Sequence, residues 1–411
     1  MDRARPHATR PAPAHPAERA LLAPLGRLAE RARLLAAADA GAGAGSSSAK
    51  LSGARPTGAG ELLWIAGVGD GLVARPAPDL VALPLASLLV LLEREDLPDA
   101  ELLAALARRR LAFAIPAHAA ETLVHGLVPA THVDVTCPDA AMAICDAAAG
   151  PQLACECFGA RAAWIPFERH GLTLAREVAD AAVSGARLAV LAKRGLVTWG
   201  ETAEECHAAT VAARDRAAAF VAARSWTPRW GGPTLVPAAA RRRTALLRRL
   251  LPLLRRELSS GAPRALALDA SAQVLSFLCA RDAPTLADAG PASPRQAVLT
   301  KRVPLWVDCD PARDDEGDLA QRIARGLVRY RARARWELAI CGGHGTALDA
   351  DPRVVLIGGV GLVAAAETAA RAQRVVHAYR HAIETMAGAS ALDRFAPATP
   401  LECAAFLPAP P

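Results

Sequence analysis

The chain of 411 residues contains few lysines, few aromatic residues and no long uncharged apolar run. Its only lysines are Lys50, Lys193 and Lys301, so almost all of its 48 basic residues are arginines. Although 52% of the residues are hydrophobic, no charge-free stretch approaches the roughly 20 residues of a transmembrane helix. Residues 1–20 lack the apolar core of a signal peptide. We therefore expect a cytoplasmic protein that does not have a membrane as partner.

The nine cysteines indicate free thiols rather than a disulfide framework, because their spacing is irregular and includes no Cys-x-x-Cys pair. Cys155 and Cys157 are separated by a single residue, which is one residue too few for the usual zinc knuckle. A chain of this length can bury proper cores without disulfides. We expect the cysteines to be reduced, as in a reducing compartment.

The net charge of +7 is concentrated in residues 240–257, ARRRTALLRRLLPLLRRE, where arginine pairs alternate with leucine pairs at helical spacing. A basic amphipathic helix of this kind can lie on a membrane. The alternative is a surface helix, interrupted by Pro252, that buries its leucine stripe on its own domain. We favour this second interpretation. The sequence carries no nucleic-acid-binding signature, so nucleic acid is not expected as a partner.

Predicted strands alternate with predicted helices, an order typical of an α/β or α+β fold. Residues 132–137 predict a strand, and residues 201–224 predict a long helix with Thr202 and Glu205 at capping-box spacing. Glycines and serines at 41–53 predict a loop. The predicted organisation is a disordered tail (1–28), a first domain (29–224), a linker (225–243), a C-terminal α/β region (244–395) and a proline-rich tail (396–411).

The predicted strand in the segment THVDVTCPDA carries a histidine, an aspartate and a cysteine within six residues. Side chains alternate between the two faces of a strand. Val135 and Cys137 are therefore expected on one face, with His132, Asp134 and Thr136 on the other. Residues on opposite faces cannot share one small site, so His132 is not expected to join a site built around Cys137.

Three successive segments form a recognisable pattern: AETLVHGLVPATHVDVTCPDA, IPFERHGLTLA and LAKRGLVTWGETAEE. Together they resemble the class II aldolase/adducin family. The likeness is greatest to the aldolase half of bifunctional rhamnulose-phosphate aldolase/short-chain dehydrogenase proteins, and we expect no dehydrogenase domain here. It continues through LLPLLRREL, GPASPRQAVLTKRVPLWVD and DPRVVLIGGVGLVAAAETAARAQRV, and so covers residues 29–390 in one collinear order.

The resemblance implies a three-layer αβα domain with a central mixed sheet, followed by a smaller α/β region. It also implies metal-dependent aldol cleavage of a sugar phosphate. In that family three histidines hold a zinc ion that stabilises the enediolate, a glutamate moves the proton, and glycine-rich loops bind the phosphate. A homotetramer with its sites near subunit interfaces is implied as well.

The three positions that correspond to the zinc ligands do not contain histidine in this chain. The first two are Val135 and Cys137, and the third is Arg194, in a turn of sequence Lys-Arg-Gly. Valine has no lone pair to donate, and a guanidinium cannot ligate a metal. The proton-moving glutamate is retained as Glu121, which shares a predicted helix face with His125 four residues later.

The residues that correspond to the family's phosphate loops are partly retained. Serine stands at the first loop's asparagine position and Val68 at a serine position of the second. A small phosphorylated or carboxylated molecule is therefore the expected partner. The predicted phosphate-binding residues are Gly45, Ser46, Ser47, Ser48 and Lys50 in the first loop and Gly67 and Gly69 in the second.

Three interpretations of the altered site follow. A zinc site would have to be rebuilt from Cys137, Glu121 and either His125 or His170. A metal-free enzyme would use Arg194, paired with Glu121, to stabilise an enolate, with His170 as general base or Cys137 as nucleophile. In a non-catalytic protein, Arg194 and Glu121 would form a structural ion pair and Cys137 would be core. We expect no resident cofactor.

Residues 353–372 contain a strand and then Gly359-x-Gly361-x-x-Ala364, which is similar to a dinucleotide-binding fingerprint. No acidic residue ends a second strand at the position that would bind a ribose. We therefore interpret these glycines as packing positions and do not expect NAD.

Overall fold

A computed structural model describes residues 16–38, 45–55, 58–67, 80–93, 99–109, 119–168, 171–259, 262–340 and 350–404. Within these ranges, fifteen α-helices cover one sheet of seven strands and one of four. The expected mixed α/β fold with a central mixed sheet is confirmed. No helix of the described ranges combines the length and the apolar character needed to cross a membrane.

The seven-stranded sheet has the order β3-β2-β1-β4-β7-β6-β5. All neighbouring strands are antiparallel except β5 and β6. The central pair, β1 and β4, therefore has strands on both sides. The strands are β1 (Gly45–Arg55), β2 (Gly58–Ala66), β3 (Val81–Pro84), β4 (His132–Thr136), β5 (Ala162–Ile165), β6 (Leu188–Leu191) and β7 (Gly195–Gly200).

Eight helices cover the two faces of this sheet. Helices α2, α3, α4 and α7 bury their apolar side chains on one face, and α1, α5, α6 and α8 do so on the other. Helix α8 begins with the predicted capping box. The helices are α1 (Pro16–Ala38), α2 (Leu85–Leu89), α3 (Asp99–Arg109), α4 (Ala119–Leu127), α5 (Asp139–Cys145), α6 (Gly150–Phe158), α7 (Leu172–Val183) and α8 (Ala203–Ala222).

The four-stranded sheet has the order β8-β11-β10-β9, with β9 and β10 parallel and the other pairs antiparallel. Helices α10, α11 and α14 pack on one face, and α9 and α13 on the other. The elements are β8 (Ala265–Asp269), β9 (Leu305–Val307), β10 (Val354–Ile357), β11 (Gly361–Ala366), α9 (Ala240–Glu257), α10 (Ala272–Leu278), α11 (Ala283–Ala289), α12 (Pro294–Thr300), α13 (Glu316–Ile340), α14 (Ala369–Leu392) and α15 (Pro400–Ala404).

The arginine-rich helix α9 buries a leucine stripe on its own domain. Leu246, Leu250 and Leu254 are buried with side chains of α13 and of the second sheet. Pro252 lies inside the helix without ending it. The interpretation as a surface helix is therefore confirmed.

The glycines of residues 353–372 form a hairpin instead of a strand-to-helix turn. Strand β10 pairs antiparallel with β11, with Ile357 opposite Gly361. Gly359 has a φ of 63°, and a Cβ there would lie 2.4 Å from Cγ of Pro311. A second strand thus follows the turn where a dinucleotide fingerprint would place a helix.

The structure differs from the predicted organisation in four stretches. Helix α1 begins at Pro16, inside the tail for which we expected disorder, and residues 45–55 form a strand where we expected a loop. In the predicted linker, Trp230 is only 4% exposed and packs edge-on against Phe277. Helix α15 lies inside the predicted proline-rich tail. Each stretch buries apolar side chains that its composition alone did not indicate.

Helix α1 is attached to the first sheet by a buried ion pair. The Nε atom of Arg31 lies 3.1 Å from Oδ1 of Asp134 on β4, and the two side chains are 3% and 0% exposed. Arg31 also donates to Oγ of Ser47, to Nδ1 of His132 and to the carbonyl oxygen of Ser48. Thr210 of α8 donates to the second carboxylate oxygen of Asp134. The buried charges are therefore fully hydrogen-bonded, as burial requires.

We predict that Arg31→Met lowers the free energy of unfolding by about 3–5 kcal/mol, because Asp134 would remain buried without its counter-ion. Urea unfolding measures the change. The matched control is Arg33→Met, two residues further along α1, where the ion pair with Glu30 is exposed and little change is expected. The double variant Arg31→Met/Asp134→Leu should recover much of the loss. Equal effects of the two single variants would contradict the prediction.

Candidate functional site

Strand β4 presents its two sets of side chains as predicted. Val133 and Val135 are buried in the core beneath α4, together with Leu123. On the opposite face, Asp134 and His132 bind Arg31 of α1. Burial and the adjacent guanidinium lower the pKa of His132. His132 is therefore separated from the candidate site by the sheet itself.

The serine run on β1 alternates in the same way, because the strand pairs directly with β4. Ser46 lies opposite Val135 and Ser48 opposite Val133, so both serines face α4. Ser47 faces α1 and donates to Asp134 at 2.6 Å. All three serines are fully buried. Their hydroxyl groups are thus shared between two faces of the sheet rather than gathered in one loop.

His125 of α4 lies between the two serines on its face. Its Nε2 is 2.7 Å from Oγ of Ser46, and its Nδ1 is 2.8 Å from Oγ of Ser48. Burial lowers the pKa of His125 to about 4, although Glu121 and Asp134 oppose this shift. The ring is therefore neutral at pH 7. One nitrogen then donates to one serine, and the other nitrogen accepts from the second.

Glu121 lies one helical turn before His125 on α4. Its Oε2 accepts a hydrogen bond from Ser46 at 3.3 Å. Glu121 is partly exposed, whereas His125 and both serines are fully buried. The glutamate is therefore the outermost member of a hydrogen-bonded series that runs from the site into the sheet.

Cys137 and Arg194 lie side by side at the end of β4. The thiol of Cys137 donates to the carbonyl oxygen of Arg194 at 2.8 Å. The Arg194 guanidinium donates to the carbonyl oxygen of Glu168 at 2.8 Å and lies 5.1 Å from the ring centre of Phe167. Gly195 has a φ of 110°, and a Cβ there would lie 2.2 Å from the Thr136 carbonyl oxygen. Glycine thus allows the turn to pack against β4.

The Arg194 guanidinium is bound by the loop after β5, and the Glu121 carboxylate accepts a hydrogen bond from Ser46 of β1. The pairing of Arg194 with Glu121 stays a prediction. His170 and Gly69 lie outside the described residues, so the structure does not address their predicted contributions.

The residues at the three predicted zinc-ligand positions do not fit a zinc ion. Val135 is a core residue that is 5% exposed, and Arg194 carries a permanent positive charge. Both nitrogens of His125 are engaged by serines. In the ranges that the structure describes, no three His, Cys, Asp or Glu side chains are grouped so as to hold a metal. Among the described side chains, a zinc site rebuilt on His125 therefore finds no suitable set of ligands.

Lys50 follows the serines on the same face of β1. Its ammonium group donates to the carbonyl oxygens of Val128 and, at 2.9 Å, Ala130. Burial lowers the pKa of Lys50 to about 8, with Glu61 and Glu201 acting in the opposite direction. The group that we predicted to bind phosphate thus holds the loop after α4.

Gly45 and Gly67 lie at neighbouring strand ends. Gly45 opens β1, and Gly67 follows β2 with a φ of 86°. Because Ser47 pairs with Ala66, both glycines lie near Ser46. They remain predicted phosphate-binding positions.

Sequence reasoning missed the hydrogen-bonded series of Ser46, His125 and Ser48. The available signal was a Ser-x-Ser spacing, which places two hydroxyls on one strand face. It was hidden because the segment was interpreted as a loop. Arg31 was missed as well, since it lies close to the predicted tail.

Two regions of the chain match family profiles. Residues 92–221 match "Class II Aldolase and Adducin N-terminal domain", and residues 245–405 match "Aldolase class II, second domain". A Bacillus subtilis (strain 168) protein named "Uncharacterized oxidoreductase YuxG" is 33% identical over 339 residues, which cover 82% of this chain and 49% of that protein. The chain therefore spans about half the length of this curated relative.

Solved structures share the fold at low sequence identity. The N-terminal class II aldolase domain of a conserved Thermoplasma acidophilum protein is 22% identical, with a TM-score of 0.44, covering 48% of this chain and 93% of that one. An L-fuculose 1-phosphate aldolase from Glaciozyma antarctica is 14% identical, with a TM-score of 0.33, covering 51% and 77%. This likeness concerns the fold alone.

We predict that protein purified without chelator and then dialysed retains far less than one zinc ion per chain, because Val135 and Arg194 cannot ligate the metal. Elemental analysis by mass spectrometry measures the content. Stoichiometric zinc after dialysis would contradict the prediction. A parallel sample to which zinc is added before dialysis controls for metal lost during purification.

We predict that the stability of the fold falls as the pH drops from about 6.5 to about 4. His125 is neutral in the folded state down to about pH 4, whereas in the unfolded chain it binds a proton near pH 6.5. The unfolded state therefore binds more protons within this window, which costs the fold up to ~3 kcal/mol.

Urea unfolding at several pH values compares the wild type with His125→Gln, which cannot take up the proton. The variant should have a flatter pH dependence, whatever its stability at pH 7. Exposed His377 provides the matched control, and His377→Gln should keep the wild-type slope. Identical slopes for wild type and His125→Gln would refute the assignment.

Proposed function

We propose that this chain is a metal-independent carbon–carbon lyase, or a related enzyme, that acts on a small anionic substrate. The premise is that it contains a class II aldolase and adducin N-terminal domain at residues 92–221 and a class II aldolase second domain at residues 245–405. The proposed catalytic residues are Glu121, Arg194, Cys137 and His170. The proposed substrate-binding residues are Gly45, Ser46, Ser48, Lys50, Gly67 and Gly69; Ser47, which donates to Asp134 on the opposite face of the sheet, is left out.

One observation carries the proposal. Glu121, Cys137 and Arg194 are each partly exposed, while Val135 and Leu123 are buried. We propose that Glu121, as a proton-transfer group, and Arg194, as a fixed positive charge, both contact a molecule bound at this face. This is the minimum that enolate chemistry requires.

The proposed reaction needs two groups. In aldol cleavage the Glu121 carboxylate would take the proton of the substrate hydroxyl, the C–C bond would break to leave a carbonyl product, and the bonding electrons would pass into an enolate. Arg194 would stabilise that negative charge in the place of a metal ion. Glu121 would return a proton to the enolate carbon, so that the carboxylate is regenerated at the end of the cycle.

The positive charge of Arg194 also favours an anionic substrate. A guanidinium binds phosphate or carboxylate through two parallel hydrogen bonds. We therefore propose a small phosphorylated or carboxylated compound, a homotetramer as the assembly, and kinship with the rhamnulose-phosphate aldolase/dehydrogenase proteins.

A second candidate is a non-catalytic protein that uses the aldolase fold for binding or assembly. The observation that favours it is the complete burial of Ser46, Ser47 and Ser48, whose hydroxyls already have protein partners. A phosphate would have to displace His125 or Asp134 to reach them. In this reading Val135 is simply core.

Deuterium exchange at the carbon next to the carbonyl of dihydroxyacetone phosphate tests the enzyme proposal, because it isolates the enolate half-reaction. Chelator-treated protein in D₂O should remove the proton signal from the ¹H NMR spectrum. Glu121→Gln should slow the exchange by about 100-fold or more, and Arg194→Met by a similar factor. The matched control, Glu156→Gln, changes a surface glutamate and should leave the rate unchanged.

Absence of exchange would contradict the enolate reaction for this class of phosphate. Exchange that appears only after zinc is added would contradict metal independence. If dihydroxyacetone phosphate binds in calorimetry without exchange, and Arg194→Met removes the binding, the non-catalytic candidate is supported.

A further inference from the structure

A cleft of about 490 Å³ lies where α14 meets α5. Its size is within the range of small-molecule sites. The lining comes from α5, the turn at 229–231, α10 and α14, and includes none of the candidate catalytic residues. The lining residues are Asp139, Arg229, Trp230, Gln273, Ser276, His377, Arg380, His381 and Glu384.

Helix α14 provides one polar face to this cleft. His377, Arg380, His381 and Glu384 follow the spacing i, i+3, i+4 and i+7, which places them on one side of a helix. Further along α14, a Cβ on Gly388 would lie 2.6 Å from Cβ of Ala143 on α5. This close helix contact fixes the position of α14 relative to α5, and with it the width of the cleft.

His381 is oriented by a carboxylate. Its Nδ1 lies 2.7 Å from Oδ1 of Asp139 at the start of α5. A carboxylate only accepts hydrogen bonds, so Nδ1 is the donor and Nε2 is left for another partner. The cleft therefore has an imidazole ring of fixed orientation on its α14 side.

A second set of polar groups is held equally firmly. Arg229 donates to both carboxylate oxygens of Glu384, at 2.8 and 3.2 Å. Gln273 donates to Glu384 at 2.8 Å and accepts from Nε of Arg380 at 3.1 Å. Oδ2 of Asp269 lies 3.5 Å from the same Nε atom. The side chains thus fix one another before any ligand arrives, which lowers the entropic cost of binding.

The charges of the lining residues cancel. Two guanidinium groups, Arg229 and Arg380, are matched by two carboxylates, Asp139 and Glu384. An anion would have to approach both carboxylates, and a cation both guanidinium groups. An apolar ligand would cover polar groups without hydrogen-bonding to them, which is costly. The lining therefore selects for an uncharged ligand that both donates and accepts hydrogen bonds.

Hydrogen-bonding capacity remains open in the cleft. Among the residues that the structure describes, the Ser276 hydroxyl, the His377 ring and the Nη atoms of Arg380 make no hydrogen bond. They supply donors and acceptors next to the imidazole ring of His381. We propose that this cleft binds a small neutral polyhydroxy compound, such as a sugar or a sugar alcohol, at a site separate from the candidate catalytic face.

Isothermal titration of the full chain with D-glucose, D-ribose and D-mannitol tests the proposal. At least one of them should bind saturably with the wild type. Ser276→Trp should weaken that binding by at least about tenfold, because the indole fills the cleft from an exposed position without changing the ion pairs. The matched control is Ser184→Trp, at the exposed end of α7, which should bind like the wild type.

Arg380→Met provides a second variant, which removes the open donors and should also weaken binding by about tenfold or more. Glu121→Gln should leave the polyol affinity of the cleft unchanged. This test and the exchange assay can therefore fail independently. The proposal is overturned if none of the three compounds saturates below roughly 100 mM, or if Ser276→Trp binds like Ser184→Trp. It is also overturned if inorganic phosphate or succinate, rather than a polyol, binds in a manner that Ser276→Trp abolishes.

Discussion

Burial favours a hydrogen-bond partner for a polar side chain at the centre of the first sheet, and the bonds of Arg31 and His125 attach a helix to each of its faces. On one face Arg31 brings α1 onto Asp134; on the other, His125 brings α4 onto Ser46 and Ser48. An unsatisfied buried polar group costs about 1–3 kcal/mol. The alternation of side chains along β1 and β4 therefore determines which helix packs on each face of the two strands.

The residues that we predict to replace the family's zinc ligands are consistent with this cost of burial. A histidine ligand without its metal would be a buried polar group in need of a partner. Val135 needs none, and it packs instead with Val133 and Val197 in the core beneath α4. At the edge, where water remains accessible, the predicted ligand position holds the charged Arg194. Burial is thus consistent with an apolar residue at the inner position and a charged residue at the outer one.

Features that depend on periodicity were predictable from the sequence, and those that depend on tertiary partners were not. The two faces of β4, the buried leucines of α9 and the capping box of α8 follow from spacing within one element. Strand β1 was missed because glycine and serine have low strand propensity; its pairing with β2 and β4 overrides that preference. The strand 361–366, GLVAAA, has a helical composition but pairs with β8 and β10. Arg31 and Asp134 are 103 positions apart, and Ser46 and His125 are 79 positions apart, so no local pattern reveals these bonds.

The three lysines of this arginine-rich chain all bind backbone carbonyl oxygens. Lys50 holds the loop after α4, Lys193 donates to Ala396 and Pro397, and Lys301 to Asp351. A compact ammonium group with three donors suits carbonyls that converge on one point, whereas a planar guanidinium is built for parallel acceptors. Lys193 immediately precedes Arg194. One turn therefore carries both the ammonium group that binds the carbonyl oxygens of Ala396 and Pro397 and the guanidinium of the candidate site. That turn therefore connects the candidate site to the C-terminal segment. We expect a change in the packing of one of them to alter the packing of the other.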